Sequence, residues 1–371
     1  MSKRFHTIPA WGRWLLALTS GLLVFGMLAM VFHFDAGDDR RTEKIGFILL
    51  GGTDEPGWNK SHYEGIKSAC EAFGATLLVR DHIPEGTGAC DEAIRSLADE
   101  GAGMIFLCSY GYPAEARAAV AAHPDVAFTT HAPSPSAPNM TSCFARMYQG
   151  RYLAGALAGL RTKTGVIGYV AAMPNPQVNR NLNAFTLGAR RMNPNVRIVV
   201  AWTGAWEDAE KETENVWQLV YRAGADIITY QQDDQSVPDA CEALGVEFIG
   251  SDTRLTNYPH HLASIACRWD IYYRHILQRY LKGELNTIRN RWIGIDEGAV
   301  LLTDVSERIG LDAGFAVTNL RRDLTGFHPI FRGPIRDIRG DLRVNAGEVL
   351  HDDALIHRMD WYVEGVEFLD H

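Results

Sequence analysis

The chain lacks several patterns whose presence would define a function. Basic residues are in the minority: 36 Lys and Arg stand against 45 Asp and Glu, a formal net charge of −9, too acidic for a general nucleic-acid binder. No C-x2-C pair occurs, so the spacing of a zinc site or a thiol redox motif is absent. There is no G-x-S-x-G elbow, no H-x-E paired with P-C-x-x-C, no H-E-x-x-H and no G-x4-G-K-[ST] phosphate loop. A calcium loop of alternating acids is also missing, and the adjacent Asp233 and Asp234 point to opposite sides of an extended segment. Neither catalysis, a cofactor nor a metal ion is therefore expected. The 15 Pro and 35 Gly are scattered without period, which excludes collagen-like and low-complexity architectures.

An ordinary apolar fraction of 46% over 371 residues argues for about two globular domains at roughly 150 residues each. Ahead of them, Lys3, Arg4 and Arg13 precede an uncharged run from Trp14 to Phe34, and Asp35, Asp38 and Asp39 follow. Such a run reaches roughly 30 Å as a helix, enough to cross a bilayer, with the charge bias leaving a stub of residues 1–13 in the cytoplasm. Two readings stand side by side, an uncleaved membrane anchor over 14–34 or a processed signal segment, although Met30-Val-Phe-His-Phe34 lacks a small-x-small cleavage pair. No cysteine precedes Cys70, which excludes lipidation there. The six cysteines, Cys70, Cys90, Cys108, Cys143, Cys241 and Cys267, would meet an oxidising compartment after export. They read either as buried thiols or as disulfides, with Cys70–Cys90 the first pairing to test.

After Arg41, short apolar runs alternate with helix-period segments. The runs are 45–50, 75–80, 104–108, 126–130, 166–171, 196–202, 227–230 and 246–249; the helical segments lie at 61–73, 90–100, 113–122, 149–160, 178–192, 208–222 and 237–244. Repeated strand-then-helix order predicts parallel sheets covered by helices. Two sets of four runs break near Tyr148, and extra apolar runs at 141–146 and 262–267 look like strands crossing between lobes, which favours two sheets over a closed eightfold barrel.

In open parallel sheets the ligand sits beyond the carboxyl ends of the strands. The residues there are rich in aromatics and hydrogen-bonding groups: Trp58, Asn59 and His62 after the first run, Tyr110 and Tyr112 after the third, His131 after the fourth, then Arg146, Asn181, Asn183, Trp206, the run Gln231-Gln-Asp-Asp234, Asp252 and Trp269. A flat heteroaromatic ligand with polar edges suits this lining, because each stacked face contributes about 1–3 kcal/mol while amides and carboxylates read the edge. His62, one turn before Ile66, fits a packing role better than ligand contact. Asn181 and Asn183 cannot both face a cleft from one helix, being about 200° apart.

The stretches Phe144-Ala-Arg-Met-Tyr-Gln-Gly-Arg-Tyr-Leu-Ala-Gly155, Thr164-Gly-Val-Ile-Gly-Tyr-Val170 and Asn183-Ala-Phe-Thr-Leu-Gly-Ala-Arg190 resemble the basic membrane protein family of substrate-binding proteins, whose best-known members are purine nucleoside receptors. Matching pieces continue in order through Gly250-Ser-Asp252, Trp292-Ile-Gly294 and Met359-Asp-Trp-Tyr-Val-Glu-Gly365. The resemblance implies a type I periplasmic-binding fold of two α/β lobes joined by three crossovers: 44–147 with about 268–287, 148–267 with about 288–304, and a C-terminal extension over 305–371. It implies a base held between Trp58 and Trp206, with Asp252 accepting from a ribose hydroxyl or ring N–H and Gln232-Asp233 resembling a pair in a free-base subgroup. His131 departs from the Asp common in nucleoside receptors. Asn59, Tyr110, Arg146, Asn183 and Trp269 complete the expected ligand-binding set. The implied function is extracytoplasmic capture of a purine base or nucleoside by a monomer and delivery to an ABC permease, with a membrane-anchored sensor of the same fold as the alternative and a nucleoside-processing enzyme as a more remote one.

Overall fold

The structure is a computed structural model that describes residues 43–132, 137–252, 255, 257–285, 290–325 and 329–369. The anchor or signal expected over 14–34 lies outside the described residues; among those described, no helix is long and apolar enough to cross a membrane.

In chain order the elements begin with β1 (Lys44–Ile48), α1 (Trp58–Phe73), β2 (Thr76–Arg80), α2 (Ala89–Asp99), β3 (Met104–Leu107), α3 (Tyr112–Glu115), α4 (Arg117–Ala122), β4 (Ala127–Thr130) and β5 (Met140–Ala145). There follow α5 (Met147–Arg161), β6 (Val166–Ala171), α6 (Pro176–Met192), β7 (Arg197–Trp202), α7 (Ala209–Tyr221), β8 (Ile227–Gln231), α8 (Ser236–Leu244), β9 (Glu247–Ser251) and β10 (His261–Cys267). The chain closes with α9 (Trp269–Leu281), β11 (Asn290–Ile293), β12 (Val300–Thr303), α10 (Leu311–Thr325), β13 (Ile335–Arg336), β14 (Leu342–Val344), α11 (Asp352–His357) and β15 (Val366–Phe368).

These strands form two open sheets, so the barrel is excluded. The first has the order β11-β5-β4-β3-β1-β2, all pairs parallel; the second runs β12-β10-β9-β8-β6-β7-β15, parallel except where β12 lies antiparallel to β10. The chain passes between lobes after β5, after β10 and between β11 and β12. Because β11 pairs with β5, residues 290–293 belong to the first lobe, so the last crossover falls later than the boundary expected near 288. The C-terminal segment does more than pack on the surface: β15 extends the second sheet beside β7.

Local chemistry sets the helix ends. Asn175 accepts from the amides of Gln177 and Val178 at the start of α6, with Pro176 in the first turn, where its missing N–H costs nothing. Asp208 caps α7 by accepting from Lys211, and Glu212 returns a bond to the Asp208 amide. α5 and α6 cross closely enough that a Cβ on Gly155 would lie 1.9 Å from the Phe185 carbonyl and one on Gly188 would lie 2.0 Å from that of Tyr152. All six cysteines are unpaired: Cys70 and Cys90 are buried in separate core clusters, which corrects the Cys70–Cys90 pairing.

Candidate functional site

Facing the carboxyl ends of both sheets is a partly open cavity with about 580 Å³ of empty space, counting the part that opens to solvent. Its first-lobe wall comes from Trp58, Ser109, Tyr110, His131 and Phe144; its second-lobe wall comes from Met147, Arg151, Gln177, Asn181, Trp206, Gln231, Gln232, Asp233, Ser251 and Asp252. The lobes touch at its edge, where a Cβ on Gly57 would lie 2.6 Å from the Asp233 carbonyl oxygen.

Trp58 opens α1, and its indole N–H donates to the Cys108 carbonyl beyond β3 at 3.1 Å, which holds the ring at the cavity wall. Behind it sits an aromatic layer: His62 with ring centroids 3.9 Å away, Trp269 at 5.5 Å and His131 at 5.8 Å. His62 is fully buried with Nδ1 2.5 Å from the Tyr273 hydroxyl, the packing role read from its position. Burial drives His131 down to about 3 and carries His62 well below the usual histidine range, so both rings are neutral at physiological pH.

On the opposite wall, Trp206 follows β7 in a loop tied to its neighbour: the Asp233 amide donates to the Trp206 carbonyl at 3.0 Å. Gln232 Nε2 donates to Thr203 Oγ1 at 2.7 Å. Arg151 reaches from α5 under the strand tips, donating to the Tyr230 carbonyl and to Ser251 Oγ, each at 2.7 Å; Ser251 in turn donates to Asp252 Oδ2 at 3.0 Å. Asp252 itself adopts φ 55, a left-handed backbone that Asp tolerates better than most residues. Burial, then the Asp252 charge, pushes the Asp233 carboxyl well above the ordinary range. Burial also raises Asp252, opposed by Arg151 and the Ser251 hydroxyl.

Seven of the eleven expected residues, Trp58, Tyr110, His131, Trp206, Gln232, Asp233 and Asp252, line this cavity. The other four do not, and each is held elsewhere. Asn59 accepts from the Gly51 amide and donates to Glu55, bracing the loop before α1. Arg146 forms a bidentate pair with Asp352 at 2.7 Å and lies over the Trp292 ring. Asn183 donates to the Trp361 carbonyl and accepts from the Val363 amide, both at 2.9 Å, so it is Asn181 that faces the cavity. Trp269 is buried one layer behind, 3.7 Å from His62, and lines a separate cleft. Arg151 was missed, although a charged residue directly ahead of the uncharged run Tyr152-Leu-Ala-Gly-Ala-Leu-Ala-Gly159, in the same helical segment, was a signal that it had a partner at depth.

Among the described residues, His62, Cys108 and His131 form a group whose ligand atoms lie within 4.8 Å of one another. The Tyr273 hydroxyl sits among them, 3.3 Å from His131 Nε2 and 3.9 Å from Cys108 Sγ, and burial holds the thiol protonated. The group is a hydrogen-bonded core cluster.

Two α/β lobes that line one cavity from both sides have the form of a solute-binding protein. Residues 42–313 match the Bmp family model, described as ABC transporter substrate-binding protein PnrA-like, and the chain belongs to that family, whose members are extracytoplasmic binding components of ABC transport rather than enzymes. It is similar to a purine-binding protein of Brucella abortus, 30% identical over 350 residues covering 92% of this chain and 98% of that one. It also resembles a putative glucose-binding ABC transporter protein of Haloferax volcanii, 25% identical over 88% of this chain and 81% of the other. An ABC solute-binding protein from Aeropyrum pernix shares the fold at a TM-score of 0.64 and 16% identity, with coverage of 80% and 93%.

Proposed function

We propose that this protein captures a purine base or nucleoside between its lobes and delivers it to an ABC permease, working as a monomer tethered by, or released from, the 14–34 run. The observation that carries this reading is the presence of one indole from each lobe, Trp58 and Trp206, on a single cavity whose second-lobe wall also offers amides, two carboxylates and a guanidinium. Planar rings gain stacking energy from the indoles, and the polar groups discriminate ring edges. The purine-binding name of the Brucella relative supports the same ligand class.

Binding is an equilibrium event. Only the closed lobes contact the ligand from both sides, and that differential contact shifts the population toward the closed form for the permease to recognise. Calorimetry of the full chain with adenine, adenosine, glucose and an amino acid tests the class. Replacing Trp206→Ala is expected to weaken purine binding by about five- to 150-fold, from about 1–3 kcal/mol of stacking, with the ligand-free melting temperature nearly unchanged. Undiminished affinity in that variant would remove the sandwich.

A further inference from the structure

Among the described residues, three buried acceptors on second-lobe side chains at the cavity have no hydrogen-bond partner: Asn181 Oδ1, Gln232 Oε1 and Asp252 Oδ1. All three residues line the cavity. Proton accounting fixes two of these orientations. The Thr203 hydroxyl has one proton and gives it to a backbone carbonyl, that of Ala205 at 2.7 Å. Its oxygen must therefore accept from Gln232, which leaves the amide nitrogen on the Thr203 side and Oε1 free. Arg151 can only donate, so Ser251 accepts from it and passes its own proton to Asp252 Oδ2, leaving Oδ1 as the open position. The Asn181 amide nitrogen is engaged with Gln231 Oε1 at 3.2 Å, which the Tyr169 hydroxyl approaches at 3.3 Å. Against these acceptors, the unpartnered buried donor among the lining side chains is Arg151 Nε. Asp233, held toward its neutral form, can adapt to either sense.

Resting on the purine reading above, we propose that the site selects purines bearing an exocyclic amine. The imidazole half of any purine base supplies one N–H. An exocyclic amine supplies two more from one atom, and together they match the three open acceptors, while a ring nitrogen accepts from Arg151. Unsubstituted purine, with one N–H, and hypoxanthine, with two, leave at least one buried acceptor unmet, and each such omission weakens binding by about tenfold or more.

The test uses two pairs of probes that differ by a single amine: adenine against unsubstituted purine, and guanine against hypoxanthine, titrated calorimetrically into the full chain. The amine-bearing member is expected to bind about tenfold tighter or more in at least one pair. Equal affinities within both pairs overturn the amine selection while leaving the purine reading standing, and binding of none of the four overturns both. Asp252→Asn sharpens the outcome. Ser251 still donates to the side-chain oxygen, so the new amide nitrogen takes the Oδ1 position and converts an acceptor into a donor. The ratio within each pair is expected to shrink or reverse in D252N; an unchanged ratio overturns the assignment of Asp252.

Discussion

Trp58, Trp206, Gln232, Asp233 and Asp252 could be picked from the sequence because each stands just past an apolar run, where a parallel sheet opens its ligand cleft. Asn183 could not be separated from Asn181 in the same way, since both are polar and two residues apart. Only the tail seated on α6 decides that Asn183 is occupied by Trp361 and Val363. Gly57 carries a prediction at this scale. Its φ of 113 lies in a region that other residues adopt only under strain, and a side chain there would meet the Asp233 carbonyl of the opposite lobe. Gly57→Ala is expected to destabilise the ligand-free protein by about 1–3 kcal/mol. It should also lower ligand affinity about tenfold or more, because the clash exists only when the lobes meet. Denaturant melts and calorimetry on the same variant separate the two effects; unaltered affinity would mean that closure does not press this contact.

Among elements, the central strands were legible because both faces are covered, which turns them into continuous apolar runs. β11 and β15 were not. Each is short, and its partner strand lies far away in sequence, so no local periodicity reports the pairing. The same distance hides the way α6 grips the C-terminal segment. Asn179 donates to the Met359 carbonyl, Arg180 to that of Leu355, and Asn183 bonds the chain at both Trp361 and Val363. Removing the last of these by Asn183→Ala strands a buried carbonyl and a buried amide. The expected loss is about 2–4 kcal/mol of folding stability, with ligand affinity of the folded protein unchanged. A variant that keeps its stability but loses ligand would return Asn183 to the binding set.

For the molecule as a whole, burying neutral histidines couples stability to pH. His131 has its folded value lowered to about 3 from 6.5, so between these limits the unfolded chain binds a proton that the native state refuses. Its contribution to stability is complete above about 6.5 and is lost as pH falls through that window; His62 acts in the same sense. The raised acids Asp233, Asp252 and Glu212 act oppositely, since the native state keeps protons that the unfolded chain releases. A comparison of variants isolates the histidine. The stability advantage of the wild type over His131→Gln is expected to shrink by about 1.4 kcal/mol per pH unit once below about 6.5. A pH-independent difference, measured by chemical unfolding at several pH values, would show that His131 titrates normally in the folded protein.

The sequence alone determined the alternation of buried strands and helices, the division into two lobes, and the aromatic and acidic character of the strand tips, because burial and turn chemistry leave a local imprint on residue order. The tertiary structure alone decided which polar groups face the cavity. Arg151, Ser251 and Asp252 come from α5 and from the end of β9, a hundred residues apart, and their shared proton chain exists only once those elements pack. A side chain's free lone pair depends on which partners the fold brings to its other atoms, and that information is not carried by any neighbourhood of the chain.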